Sequence, residues 1–309
     1  MGNSAKALSA SDNIRLAVVA IVLAVFALSL GDALVKRISD GLPLWQIFVL
    51  RSAIVIPVLA VIIRTRYRSV SLRPRKLGWT ALRSLMLTFM WVAYYAALPN
   101  LALSVAAAAY YTTPLFITLL SALYTGDRVG ARGWTAVFAG FCGILLILRP
   151  QAQDFNVYAV LPLVSAVLYA LAMIATRTHC KGENPLILSL GLNVSFVVVG
   201  AAATLFTALL GSQAGSDGSS FLLRGWAPMD GDEWLAMGLL ATAVLVGSVG
   251  AAIAYQAGPP SVVATFDFSY LAFATLWGLA FFAERPDAVT IGGMALIAGA
   301  GMIAVWRRS

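Results

Sequence analysis

Four ionisable side chains stand inside long apolar runs: Asp32, Arg51, Arg83 and Asp267. A charge at the centre of a bilayer costs about 2.5–3.5 kcal/mol on insertion scales, so such groups are expected to pair, to handle ions or to touch a solute. Asp32 lies near the end of the first run and Arg51 early in the second, so the hairpin between them can bring the two together. That arrangement is a structural ion pair, an outer gate or a contact with a solute carboxylate. Arg83 lies about two turns into the third run, next to a basic loop, where snorkelling to the interface is the expectation. Asp267 has Phe266, Phe268 and Tyr270 as neighbours. It must face a cavity or pair, with Arg83 as candidate partner, and a carboxylate in that setting is a candidate for proton exchange during transport.

Rings accompany these charges. Trp91 and Tyr95 are one helical turn apart on one face, and Tyr111 and Tyr270 stand within later runs. An indole or phenol offers stacking area with a polar tip, which suits a partly apolar organic solute. Tyr94, Tyr110, Tyr169, Tyr255 and Trp277 belong to the same set, with helix packing or the interfacial belt as the competing role. Gln256 and Asn193 add amides that either bind solute or tie helices. The substrate-binding set is thus Trp91, Tyr95, Tyr111, Asp267, Tyr270 and Gln256, with Asp32, Arg51 and Arg83 as gating or structural ion-pair residues.

Catalysis has little to work with. The single His179 sits in a loop beside Cys180 with no second ligand near it in sequence, and Cys142 is inside an apolar run. No disulfide framework, metal site, nucleotide-binding motif or cofactor is expected. Catalytic residues are expected to be absent, and an integral-membrane enzyme is the weaker alternative.

The elements that must carry these residues are membrane helices. Of 309 residues 61% are hydrophobic and 11% charged, whereas soluble domains carry about 25% charged residues. Ten apolar runs, each about the length a bilayer demands, cover 14–36, 43–63, 77–98, 102–125, 131–148, 155–177, 185–210, 232–256, 260–282 and 287–306. Backbone in hydrocarbon must satisfy itself, and no barrel alternation is present, so all are read as helices. The run from Ile14 is too long for a signal-peptide core and is kept as a span. The connection 211–231 is rich in Gly, Ser and Asp and reads as a flexible external loop, with Phe221 to Trp226 touching the interface. Pro114 is expected to bend the fourth helix and free carbonyls near the cavity.

The net charge of +8 is explained by orientation rather than nucleic acid. With the N-terminus cytoplasmic, 14 Lys and Arg fall inside and 5 outside (Lys36, Arg37, Arg149, Arg224 and Arg285). Both termini are therefore expected in the cytoplasm, with tails 1–13 and 307–309.

The fourth run repeats in the ninth. Aligning Ser104 on Ser261 sets Tyr110 opposite Asp267, Thr112 opposite Ser269, Thr118 on Thr275 and Asp127-Arg128 on Glu284-Arg285. Five helices per half is an odd number, so the halves 14–148 and 155–306, joined by 149–154, must be inverted relative to each other. Gly140 and Gly143 against Gly299 and Gly301 suggest close helix contacts at the ends of both halves.

Two five-helix halves, the spacing from Pro43 to Arg51, and helices closing on Asp127-Arg128 and Glu284-Arg285 resemble the EamA branch of the drug/metabolite transporter superfamily. The likeness covers about 14–306 and extends in overall character to the YddG-like amino-acid exporters of that branch. It implies a ten-helix fold around a central cavity, lined chiefly by helices 1, 3, 4, 6, 8 and 9. Asp127, where the family commonly has Glu, and Asn193, opposite Arg51, depart from the pattern. The expectation is an all-α integral membrane protein of ten spans in two inverted repeats. It would act as a monomer in the bacterial inner membrane and export small organic metabolites, amino acids foremost, by alternating access. Drug or nucleobase carriage and facilitative uniport are the alternatives.

Overall fold

The computed structural model describes residues 13–67, 70–113, 115–117, 120, 131–148, 156–180, 182–209, 221–258, 263, 266–267 and 269–305. Among these the regular structure is helical throughout, with no strand. The α-helices are α1 (Ile14–Ile38), α2 (Leu44–Arg66), α3 (Leu77–Ala97), α4 (Leu103–Tyr110), α5 (Ala131–Leu148), α6 (Val160–Thr178), α7 (Pro185–Leu209), α8 (Gly231–Ala257), α9 (Ser269–Phe282) and α10 (Ala288–Val305), with 3-10 turns at Leu98–Asn100 and Val157–Ala159. Six helices (α1, α2, α3, α6 with the turn before it, α7 and α8) are long and apolar enough to cross a membrane. Apolar side chains also face outward, among them Leu23, Val61, Phe89, Phe138, Val198 and Leu205. A surface of that kind needs lipid as its solvent, so the chain is a multi-pass membrane protein.

Local chemistry sets several boundaries. Asn13 accepts from Leu16 N–H and starts α1, and Asp230 and Glu233 form a reciprocal capping box that starts α8. The fourth run is interrupted just ahead of Pro114. Its first helix stops at Tyr110, Tyr111 and Thr112 form a turn, and helix returns at Thr113 and over 115–117. Pro114 lies outside the described residues, but it has no N–H to offer Tyr110 C=O. Thr113 Oγ1 donates to that carbonyl at 2.6 Å, and Thr112 Oγ1 donates to Ala109 C=O at 2.8 Å. The carbonyl expected to be freed is thus satisfied by a hydroxyl. Ser269, aligned with Thr112, makes the same bond to Phe266 C=O at 2.7 Å. Thr118, Asp127, Arg128, Phe268 and the tails lie outside the described residues.

The helices interlock rather than lie side by side in chain order. α1 packs on α8 and α9, α3 on α6 and α7, α2 on α7 and α8, α4 on α9 and α6, and α5 on α10. The closest approach of α5 and α10 uses Gly143 and Gly293. A Cβ on Gly143 would stand 2.9 Å from Gly293 C=O, and one on Gly293 the same distance from Gly143 C=O. Gly143 is thus at the expected contact, but its partner is Gly293 rather than Gly299, which has open space around it, and Gly140 faces Leu115.

The segment after 220 packs on protein through Phe221, while Leu223 and Trp226 stay half-exposed. Leu44 N–H donates to Phe221 C=O at 3.1 Å and Trp45 Nε1 to Leu222 C=O at 2.8 Å. Gln46 both donates to and accepts from Ala227 backbone. The start of α2 has free backbone and polar side chains to satisfy, and this strap supplies the partners.

Candidate functional site: a cavity with two carboxylates held by tyrosines

A cavity of about 60 Å³ runs between α1, α3, α6, α7, α8 and α9 and past the turn after α4. Its walls are mostly apolar, from Ile21, Val25 and Leu28 on α1 to Val244 and Ala251 on α8. Three charged residues reach it: Asp32, Arg83 and Asp267.

Each carboxylate is held by two phenols from other helices. Asp32 on α1 is 1% exposed; Tyr95 O–H donates to its Oδ1 at 3.1 Å and Tyr270 O–H donates to its Oδ2. Asp267 is 7% exposed; Tyr111 O–H donates to its Oδ1 at 3.2 Å and Tyr255 O–H to its Oδ2 at 3.1 Å. A buried carboxylate is tolerable only with such donors, because desolvation disfavours the charge. Tyr111 and Tyr270 stack at 4.9 Å and 27°, so the two carboxylates are joined through one ring pair. Tyr94 shares a 3.0 Å hydrogen bond with Tyr270, and Tyr110 packs against Tyr94, Tyr111 and Tyr169.

The arginines differ. Arg51 is fully buried behind this wall; its Nη1 donates to Tyr95 O–H at 3.4 Å, and its guanidinium lies over Phe196 and Phe48 at 4.4 and 4.7 Å. The ring faces compensate part of its desolvation, and its Nε and Nη2 have no hydrogen-bond partner among the described residues. Tyr95 stands between Arg51 and Asp32, so the expected direct pair is replaced by a hydroxyl bridge. Arg83 is 4% exposed, and its Nε donates to Thr176 Oγ1 at 2.6 Å. It neither reaches the surface nor pairs with Asp267: α3 places it inside the bundle against Thr176 of α6.

At one end the site is tied shut by polar contacts. Lys36 Nζ meets Glu284 Oε1 at 2.5 Å and donates to Leu101 C=O at 2.6 Å, while Glu284 Oε2 accepts from Leu103 N–H at 2.8 Å at the start of α4. A carboxylate is favourable at a helix N-terminus. Ala283, with φ 52, turns the chain so that Glu284 folds back over Gly278. A Cβ on Gly278 would stand 2.8 Å from the carboxylate oxygen that holds Leu103 N–H, so a larger residue there would displace Glu284 from that bond.

Residues 15–149 match the EamA-like transporter family. Among relatives, the chain is 29% identical to the pseudopaline exporter CntI of Pseudomonas aeruginosa (strain UCBPP-PA14) over 287 residues, 93% of this chain and 94% of that one. It is 26% identical to the riboflavin transporter of Vibrio cholerae serotype O1, over 91% and 89% of the two chains. It is 21% identical to the S-adenosylmethionine uptake transporter of Rickettsia bellii, over 73% and 71%. Residues 15–149 thus form an EamA-like transporter domain, and these relatives support the drug/metabolite transporter superfamily for the chain. A solved structure described as "Crystal structure of protein" agrees in fold, with TM-score 0.65 at 18% identity over 94% of this chain and 97% of that one.

The cavity wall contains Trp91, Tyr111, Asp267 and Tyr270 from the substrate-binding set, together with Asp32 and Arg83. Tyr95 is one layer behind, bonded to Asp32. Gln256 is elsewhere: its Nε2 donates to Glu183 C=O at 2.9 Å, tying α8 to the loop before α7. Asn193 Nδ2 bonds Ser189 C=O in its own helix. Tyr94, Tyr110 and Tyr169 are in the wall, and Tyr255 holds Asp267. Sequence marked all four as aromatics within spans, but their facing comes from the helix arrangement.

Proposed function

We propose that this chain is an inner-membrane carrier for small organic metabolites, amino acids or related amphoteric solutes, working by alternating access. The observation that carries the reading is the cavity itself. Two carboxylates, one from α1 and one beside α9, share one tyrosine cluster at the meeting of the two halves. A group of that kind can hold an ammonium between carboxylates and rings. The relatives' printed roles in carrying metabolites support solute transport in general.

Ten spans in two inverted halves, 14–148 and 155–306, with both termini cytoplasmic and one chain as the working unit, complete the proposal. The packing partners support it. Exchanging each helix for the one five places along turns α1 on α8 into α6 on α3, α1 on α9 into α6 on α4, and α3 on α7 into α8 on α2, and all of these contacts occur. Such a relation is expected of inverted repeats. The cavity is narrow, so passage requires the halves to move apart in turn.

Proteoliposomes offered a radiolabelled panel of amino acids, nucleobases and flavins, at several imposed pH gradients, test this. Accumulation of an amino-acid-like solute is the expected result. Conversion of a solute to product without flux, or flux confined to nucleobases or flavins, would contradict it.

A further inference from the structure

The cavity is charged at two separated levels. At one level lies Asp32 with Tyr95 and Tyr270, and Asp267 is joined to it through the stacked Tyr111 and Tyr270 rings. At the other lies Arg83, buried in the wall, with Thr176 Oγ1 and the more distant Leu188 C=O at 3.5 Å as its hydrogen-bond acceptors. Among the described residues the one salt bridge is Lys36–Glu284, so Arg83 faces the cavity without a carboxylate partner. The nearby thiol of Cys180, in the loop after α6, is no substitute anion: burial pushes its pKa above the ordinary value, so it is neutral at physiological pH. A buried guanidinium without a counter-ion is costly, and a carboxylate is the group its fork fits best.

The separation follows from the helices. Along α3, Arg83 and Tyr94 are eleven residues apart, about 16 Å at a rise of about 1.5 Å per residue. A single α-amino acid, with its ammonium and carboxylate on one carbon, cannot satisfy both levels together.

We propose that Arg83 anchors the carboxylate of an elongated amphoteric solute whose ammonium lies between Asp267 and Asp32, with a long apolar body along the wall between them. The inference rests on the cavity being the solute site and narrows the solute to those with well-separated charges.

The test is equilibrium binding of radiolabelled ω-aminooctanoate to the full chain in lipid nanodiscs. Competition by γ-aminobutyrate, ω-aminohexanoate and phenylalanine is measured alongside. Affinity should rise along the ω-amino series and fall off for phenylalanine. Arg83→Gln should weaken ω-aminooctanoate by roughly tenfold or more, the scale of a lost charge-assisted hydrogen bond, and Arg83→Lys should restore part of it. Affinity that does not depend on the separation of the charges would overturn the proposal even if Arg83→Gln fails to fold. So would equal binding by wild type and folded Arg83→Gln. The proteoliposome panel separates the two claims: flux of short solutes with a flat ω-amino series sinks this inference alone, whereas a rising series without any flux sinks the transporter mechanism.

Discussion

Asp267→Asn should abolish the response of solute flux to an imposed pH gradient while leaving solute exchange detectable. The two buried carboxylates are not equivalent. Asp32 shares Tyr95 with the Arg51 guanidinium, so a fixed cation stands behind its negative charge. Asp267 has two tyrosine hydroxyls and no cation among its hydrogen-bond partners. Its charge must be met by a solute ammonium or removed by a proton whenever the cavity closes. Asparagine mimics the protonated acid at nearly constant volume and keeps an oxygen for one tyrosine. Flux measured in proteoliposomes with and without a pH step checks this, and normal pH-driven accumulation by folded Asp267→Asn protein would sink the proton role. Asp32→Asn should act differently. It strands Arg51 in the core, and breaking a buried charge arrangement costs about 3–5 kcal/mol, so the expected outcome is loss of folded protein, read by size-exclusion of the detergent extract.

A cross-link between positions 36 and 284 should stop transport reversibly. Lys36–Glu284 joins α1 to the end of α9, and the same two side chains hold Leu101 C=O and Leu103 N–H at the start of α4. Three cavity-forming elements are thereby fixed to one another on one side. Alternating access requires that side to open. With Cys142 and Cys180 replaced by alanine, Lys36→Cys and Glu284→Cys joined through two disulfides by a short bis-methanethiosulfonate, with sulfinate as the leaving group, should reduce uptake to the protein-free background. Dithiothreitol should restore it. Uptake that survives complete cross-linking would show that these helices stay together throughout the cycle.

Much of the helical framework was legible because lipid imposes a simple rule. An apolar run bounded by charge or proline must satisfy its own backbone, and α5 (Ala131–Leu148), α7 (Pro185–Leu209) and α8 (Gly231–Ala257) lie within a residue or so of the runs read from sequence. The fourth run is helical on both sides of a turn, as an interruption near Pro114 implies, but the way Thr112 and Thr113 bond the carbonyls ahead of it is not legible in the sequence. Sequence also gives a residue's height along a helix far better than its facing. Asp32 was expected to pair directly with Arg51 across the hairpin, but the position of α3 inserts Tyr95 between them. Gln256 had the right chemistry for a solute contact and the wrong side of α8. Tyr94 and Tyr110 acquire their places only when α3, α4 and α9 converge.

The claim at the centre is that a solute occupies the tyrosine–carboxylate cavity and is released alternately to the two sides. Trans-stimulation measures this most directly. Proteoliposomes are preloaded with an unlabelled amphoteric solute and diluted into the same solute in labelled form. The expected result is transient accumulation of label above equilibrium, lost when the vesicles are empty and lost in protein cross-linked between positions 36 and 284. Label that enters at the same rate with empty and preloaded vesicles, and that never exceeds equilibrium, would contradict alternating access through this cavity.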